Sequence, residues 1–252
     1  MTLTMTIVAA IIVFVLTTLL AMVGIGAAFI IIPVYIWLGV ALPEATAIAL
    51  LLNGISMTFA AATNAKHKLI DFKIAVPITI VAALLTPFGA YATQFISKNS
   101  LLWFFTAFLI FAASMMIFYK TKQKDRIPNI RRDITLGSIV GAFAGFLSGL
   151  LGIGGGNFIL PTLVGSGMEP KKASGTTSLV VAVPSLVGFF AKLKVANGHL
   201  NWTLLGFSVI ASILGALLGA SLMNAKMKSS QLKVVIGIVL YIVAFKMILG
   251  LI

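Results

Sequence analysis

Gly152-Ile153-Gly154-Gly155-Gly156-Asn157 closes a long apolar run, and a weaker copy, Gly24-Ile25-Gly26-Ala27-Ala28-Phe29, stands 128 positions earlier after another. The copying extends outward from the glycines. Pro33 matches Pro161, Gly39 matches Gly167, and Ala45-Thr46 matches Ala173-Ser174. Glycine breaks or loosens a helix and exposes backbone amides to a ligand or a second backbone. Glycine-interrupted hydrophobic segments at corresponding places in two halves point to a transporter's binding site. One motif thus proposes a duplicated fold, its symmetry and its site.

The rest of the chain sets the medium. Of its residues 60% are hydrophobic and 9% charged, whereas soluble domains run near a quarter charged. Apolar runs occur at about 5–22, 27–40, 45–62, 74–95 and 100–119, then at about 134–151, 156–166, 173–191, 202–223 and 232–250. A hydrocarbon core of about 30 Å takes roughly 20 helical residues to cross. Backbone in lipid must satisfy its own hydrogen bonds, so these runs are helices. The expected fold is an all-α polytopic protein of the cell membrane. Its divisions are a first repeat over 1–119, a basic cytoplasmic linker over 120–133 and a second repeat over 134–252. The run Met5–Met22 lacks a basic leader and reads as a retained first span.

The second run of each half is too short to settle its own course: a thin span, half of a broken helix or a re-entrant segment all fit. Charge chooses between them. Lys120, Lys122, Lys124, Arg126, Arg131 and Arg132 place the linker in the cytoplasm. With five spans per half, fourteen Lys and Arg lie on the linker's side and three (Lys98, Lys192, Lys194) opposite. With four per half and re-entrant segments, the split falls to eleven against six. The positive-inside rule favours five plus five. An odd number of spans inverts one half relative to the other, placing a site near the midplane where the halves meet.

The formal charge of +13 belongs to short loops facing anionic headgroups, not to a nucleic-acid surface. No cysteine is present, which excludes thiol nucleophiles, disulfides and cysteine metal sites. The five acidic residues (Glu44, Asp71, Asp125, Asp133, Glu169) and both histidines, His67 and His199, fall at span ends or in loops. Without a carboxylate at bilayer depth, neither a proton relay nor a cation site is expected. An intramembrane lipid enzyme would have only scattered Glu44, His67 and Asp71 to work with. No cofactor, no metal and no enzymatic activity are expected.

A helix that restarts after a glycine break has unpartnered first amides and a positive dipole end. Two such ends facing one another make an anion site without a charged side chain. The candidate binding residues are therefore Gly24, Gly26, Gly152, Gly154, Gly155, Gly156 and Asn157. Thr46 and Ser174, with Thr176, Thr177 and Ser178, open the third run of each half. Their hydroxyls suit an oxyanion or, alternatively, cap the helix. Asn53 and Ser56, mid-span, suit the site or polar glue between helices. A bulky residue at Gly154 or Gly155 is expected to stop anion flux without preventing insertion. Asp71-Phe72 and Asn201-Trp202 read as caps with interfacial aromatics, and Lys246 as a snorkelling cation.

At Gly149-Leu150-Leu151-Gly152-Ile153-Gly154-Gly155-Gly156, Pro161 and Ala173-Ser174-Gly175-Thr176-Thr177-Ser178, the chain resembles the sulfite exporter TauE/SafE family. The weaker first copy, the length and the basic linker agree. The resemblance implies an integral permease moving a small anion, with sulfite and organosulfonates such as sulfoacetate as cargoes. Membrane lipids are its surroundings, and the sequence leaves its oligomeric state open. A passive anion channel would carry the same signature.

Overall fold

The computed structural model describes residues 3–118, 130–195, 200–224 and 229–250. Most of the basic linker, His199, Lys226 and Lys228 lie outside the described residues. Among the described residues ten α-helices follow one another: α1 (Leu3–Ala21), α2 (Ala28–Trp37), α3 (Leu42–Lys66), α4 (Phe72–Ala92), α5 (Lys98–Phe118), α6 (Ile130–Leu151), α7 (Gly156–Gly165), α8 (Pro170–Val195), α9 (Trp202–Asn224) and α10 (Ser229–Leu249). Among the described residues there is no strand. Among the described residues seven helices are long and apolar enough to cross a membrane.

The two short helices differ from the rest. α2 and α7 have ten residues each, about 15 Å at 1.5 Å per residue. That is half of a hydrocarbon core. Each carries its proline at the same place, Pro33 and Pro161. Left-handed backbone recurs with the repeat as well: Gly24 and Gly152 (φ 77° and 81°), Gly26 and Gly154 (86° and 79°), Gly39 and Gly167 (85° and 109°). Only glycine takes these angles freely, so the two copies fold alike before each short helix and after it. The copies part at one point, where Gly155 is left-handed (φ 74°) and its counterpart Ala27 is right-handed (φ −105°).

Helix pairing respects the duplication. α1 lies against α9 as α4 lies against α6, and α3 packs on α9 as α8 packs on α4. The equivalent helices α3 and α8 pack on each other, as do α5 and α10. Contacts between α3 and α8 run in opposite senses: Leu50 approaches Gly188, Asn53 meets Ser185, and Asn64 meets Ser178. α4 and α6 run parallel, with Ile78 at Gly137 and Gly141, Ala82 at Gly145 and Thr86 at Gly149. α4 and α8 also run in the same sense, with Thr176 at Asp71 and Gly188 at Thr86. α6 and α8 are therefore parallel, so the chain between them, with α7 in it, returns to the end from which α6 started.

The α4–α6 seam is made by glycine. Gly137, Gly141, Gly145 and Gly149 recur every four residues along one face of α6, the small-residue spacing that lets membrane helices approach closely. A β-carbon at Gly145 or Gly149 would overlap the carbonyl oxygen of Ala82 or Thr86. Gly215 and Gly219 do the same for α9 against Phe14 and Thr18 of α1.

Two clips at the helix starts repeat the symmetry. Glu44 accepts the Asn201 N–H at 2.7 Å, tying the start of α3 to that of α9. Lys172, the counterpart of Glu44, pairs with Asp71 at 3.2 Å, tying α8 to α4. Asn201 also caps its helix by accepting the Leu204 N–H. Asp71 makes no such capping bond; its carboxylate goes to Lys172 instead. Lys246 lies over the Trp37 ring at 4.3 Å.

Candidate functional site

The two glycine loops meet in the interior. Residues 21–30 and 151–157 are buried throughout. A β-carbon on Gly156 would overlap the Ile25 carbonyl oxygen and stand 2.9 Å from its Cα. At Gly26 and Gly154 it would overlap the two ends of the same Asn53 amide. The loops thus approach Asn53 from two directions, and Asn53 donates to Ser185 Oγ at 2.9 Å.

Each loop is seated on the opposite half. At Gly24 a β-carbon would overlap Ser174 Oγ, which donates to the Val23 carbonyl at 2.8 Å. At Gly152 it would lie 3.0 Å from Thr46 Cβ. Thr46 turns its hydroxyl to the Pro43 carbonyl of its own helix and offers the loop its methyl side. The head of α8 therefore gives the first loop a hydrogen bond, and the head of α3 gives the second an apolar surface.

Both short helices start without a side-chain cap. The Ile30 and Ile31 N–H groups donate to the Ala27 carbonyl, and Phe158 N–H donates to Gly155. The amides of Gly26, Ala28, Phe29, Ile153, Gly154, Gly156 and Asn157 have no acceptor among the described residues. Nor does the Asn157 side chain, 6% exposed, make a hydrogen bond. Buried N–H groups without partners are rare and costly. A cluster of them at two positive helix ends could receive a negative group.

The remaining candidates divide. Thr177, buried one turn beyond Ser174, keeps an unpartnered hydroxyl. Thr176 accepts the Asp71 N–H at 3.0 Å, and Ser178 donates to the Gly175 carbonyl and accepts from Asn64. Thr176 and Ser178 hold the start of α8 to the end of α3 and the loop before α4. Gly155 faces Ala144 of α6, not Asn53. Ser56 bonds back to Asn53 O.

Two participants escape a reading of loops and motifs. Ser185 supports Asn53, and Pro184-Ser185 at mid-helix was its only signal. Lys192 was expected in a loop, but it lies in the last turn of α8, 3% exposed, donating to the Leu150 carbonyl at 3.2 Å. Among the described residues no group of three His, Asp or Glu side chains is placed to hold a metal.

Comparison with known proteins decides the kind of protein this is. The family model for sulfite exporter TauE/SafE matches residues 9–247. The chain belongs to the TauE/SafE family. It is 24% identical over 218 residues to the probable membrane transporter protein YunE of Bacillus subtilis, covering 80% of this chain and 78% of that one. It is 26% identical over 242 residues to the probable membrane transporter protein MJ0441 of Methanocaldococcus jannaschii, covering 90% and 89%. YdhB of Bacillus subtilis, also a probable membrane transporter protein, is 28% identical over 185 residues, covering 69% and 73%. No solved structure matches. The protein is a multi-pass membrane transporter of the TauE/SafE family.

Proposed function

We propose that this TauE/SafE protein is a permease for a small oxyanion, sulfite or an organosulfonate such as sulfoacetate, working by alternating access of two inverted five-helix halves. The observation that carries the reading is the set of buried amides without acceptors at the facing starts of α2 and α7. Anions leave water only at a cost of many kcal/mol, and preformed donors at helix starts offset it. A sulfite or sulfonate group has three oxygens to share among the two loops and the Asn157 amide. No carboxylate stands among the groups named at the loops to repel it.

The antiparallel crossing of α3 with α8 supports the inversion. The shared direction of α4, α6 and α8 supports counting α7 as a crossing, and hence five plus five. The divisions 1–119, 120–133 and 134–252 follow, with the linker inside and both termini outside. Rocking one half against the other would open the Asn53 region to one face at a time, the usual consequence of such repeats.

Uptake into proteoliposomes tests the cargo. Sulfite or sulfoacetate should accumulate saturably and show counterflow, and carboxylates should compete poorly. Protein that takes up no member of a panel of sulfite, sulfoacetate and sulfate would remove the reading, and flux without counterflow would make it a channel. Topology has its own test. Lys171 and Lys194 are both exposed, and K171C should be labelled only from the cytoplasmic side, K194C only from outside. The reverse pattern would mean four spans per half.

A further inference from the structure

α3 and α8 are equivalent without a gap, from Leu42 and Pro170 through Thr46 and Ser174 to their last turns. At the same 128-residue offset, Lys192 of α8 answers to Asn64 of α3. Both are buried, at 3% and 0% exposure. Because the two helices cross antiparallel, these residues stand at opposite ends of the molecule. Asn64 donates to Ser178 Oγ, and its side-chain amide oxygen has no partner among the described residues. The counterpart of Ser178 is Leu50, which has nothing to offer an ammonium group. Lys192 reaches the Leu150 carbonyl instead, two residues before the second glycine loop begins.

Lys192 has no carboxylate within ion-pair distance among the described residues. A buried ammonium group bonded to one carbonyl is expensive to keep, because its desolvation is not repaid by an opposite charge. A mobile anion would repay it. The location fits, since Lys192 lies two turns beyond Ser185 on the same face of α8, and Ser185 holds Asn53 between the two loops. A charge there lies between that end of the molecule and the loops, bonded to the residue two before Gly152.

We propose that Lys192 is the receiving cation for the anion at the end where α6 and α8 finish, and that Asn64 marks the matching, uncharged station at the opposite end. The transporter is symmetric in backbone but polarised in charge. An anion approaching from the Lys192 end, the outer face in the five-plus-five arrangement, is captured by a full charge. From the other end it meets only an amide. This rests on the permease reading and adds to it a residue and a sidedness.

The test uses the full-length protein and radiolabelled sulfite, with KM measured separately in right-side-out and inside-out vesicles. K192N makes the two ends alike. It should raise the outer-face KM roughly ten- to a hundredfold, the loss expected for one charge-assisted contact, and leave the inner-face KM within about twofold. K192R should retain most of the affinity. The exchange K192N/N64K should move the low KM to the inner face, an outcome no purely structural lysine would produce. Should K192N fail to insert, N64K alone decides, because an added inner charge should lower the inner-face KM. An outer-face KM unchanged in K192N, an equal rise on both faces, or an N64K protein indifferent to sulfite would each overturn the proposal. Wild-type protein that moves no anion of the panel would instead overturn the permease reading, and Lys192 with it.

Discussion

Gly156→Val is expected to give a protein that inserts and purifies normally yet transports anion at a small fraction of the wild-type rate. Gly156 is the first residue of α7, with ordinary helical backbone, so the effect is steric. Its β-carbon would meet Ile25 backbone, the carbonyl oxygen and the Cα, which cannot rotate aside as a side chain can. Overpacking of this kind costs about 1–3 kcal/mol. Applied to one of two alternating states, that shifts their balance by roughly 5- to 150-fold. Initial rates of sulfite uptake, normalised to inserted protein, provide the measurement. Gly154→Val should also fail, partly through strain at its φ of 79° and partly by displacing the Asn53 amide. Wild-type uptake by Gly156→Val would mean that the loops do not need their close approach.

Gly149→Leu should instead fail at folding. The β-carbon would sit on the Thr86 carbonyl and 2.7 Å from the Ala90 nitrogen, forcing α4 and α6 apart along a seam that Gly145 and Gly89 also need closed. Lipid gives no hydrophobic drive to hold separated helices together, so lost packing is lost outright. A destabilisation of about 3 kcal/mol or more is expected, visible as a lower midpoint of thermal aggregation in detergent and a reduced monodisperse fraction. Gly165→Ala is the control, since its β-carbon would meet nothing within 4 Å. Equal melting of the two variants would mean that the glycine seam does not hold the fold.

The architecture was largely legible because the repeat is written in residues with backbone consequences. Gly24, Gly26 and Gly39 recur as Gly152, Gly154 and Gly167 since each copy needs the same left-handed turns. Element ends came within a few residues, as at Trp202, where α9 begins at the expected place. The seam of α6 was written just as plainly in the four-residue spacing from Gly137 to Gly149, although only packing reveals that its partner is α4. The site was legible in part. Gly26 and Gly154 meet at Asn53, and Gly24 meets Ser174, because glycine and mid-span polar residues report places where backbones converge. The hydroxyls of Thr176 and Ser178 serve a helix junction, and nothing in a run of Ser and Thr states which way each side chain turns. Lys192 was invisible for a related reason. A lysine near the end of an apolar run looks like a loop residue until its neighbours are known.

The seating of each loop on the other half has a consequence for where such a protein can come from. A single five-helix half holds one glycine loop and lacks its seat, because Ser174 serves the first loop and Thr46 the second. In lipid, backbone groups stripped of partners and surroundings cost several kcal/mol each. A lone half would be complete only beside a second one. Carrying both in one chain makes that pairing permanent, and lets the two seats differ, a hydroxyl at Ser174 and a methyl at Thr46.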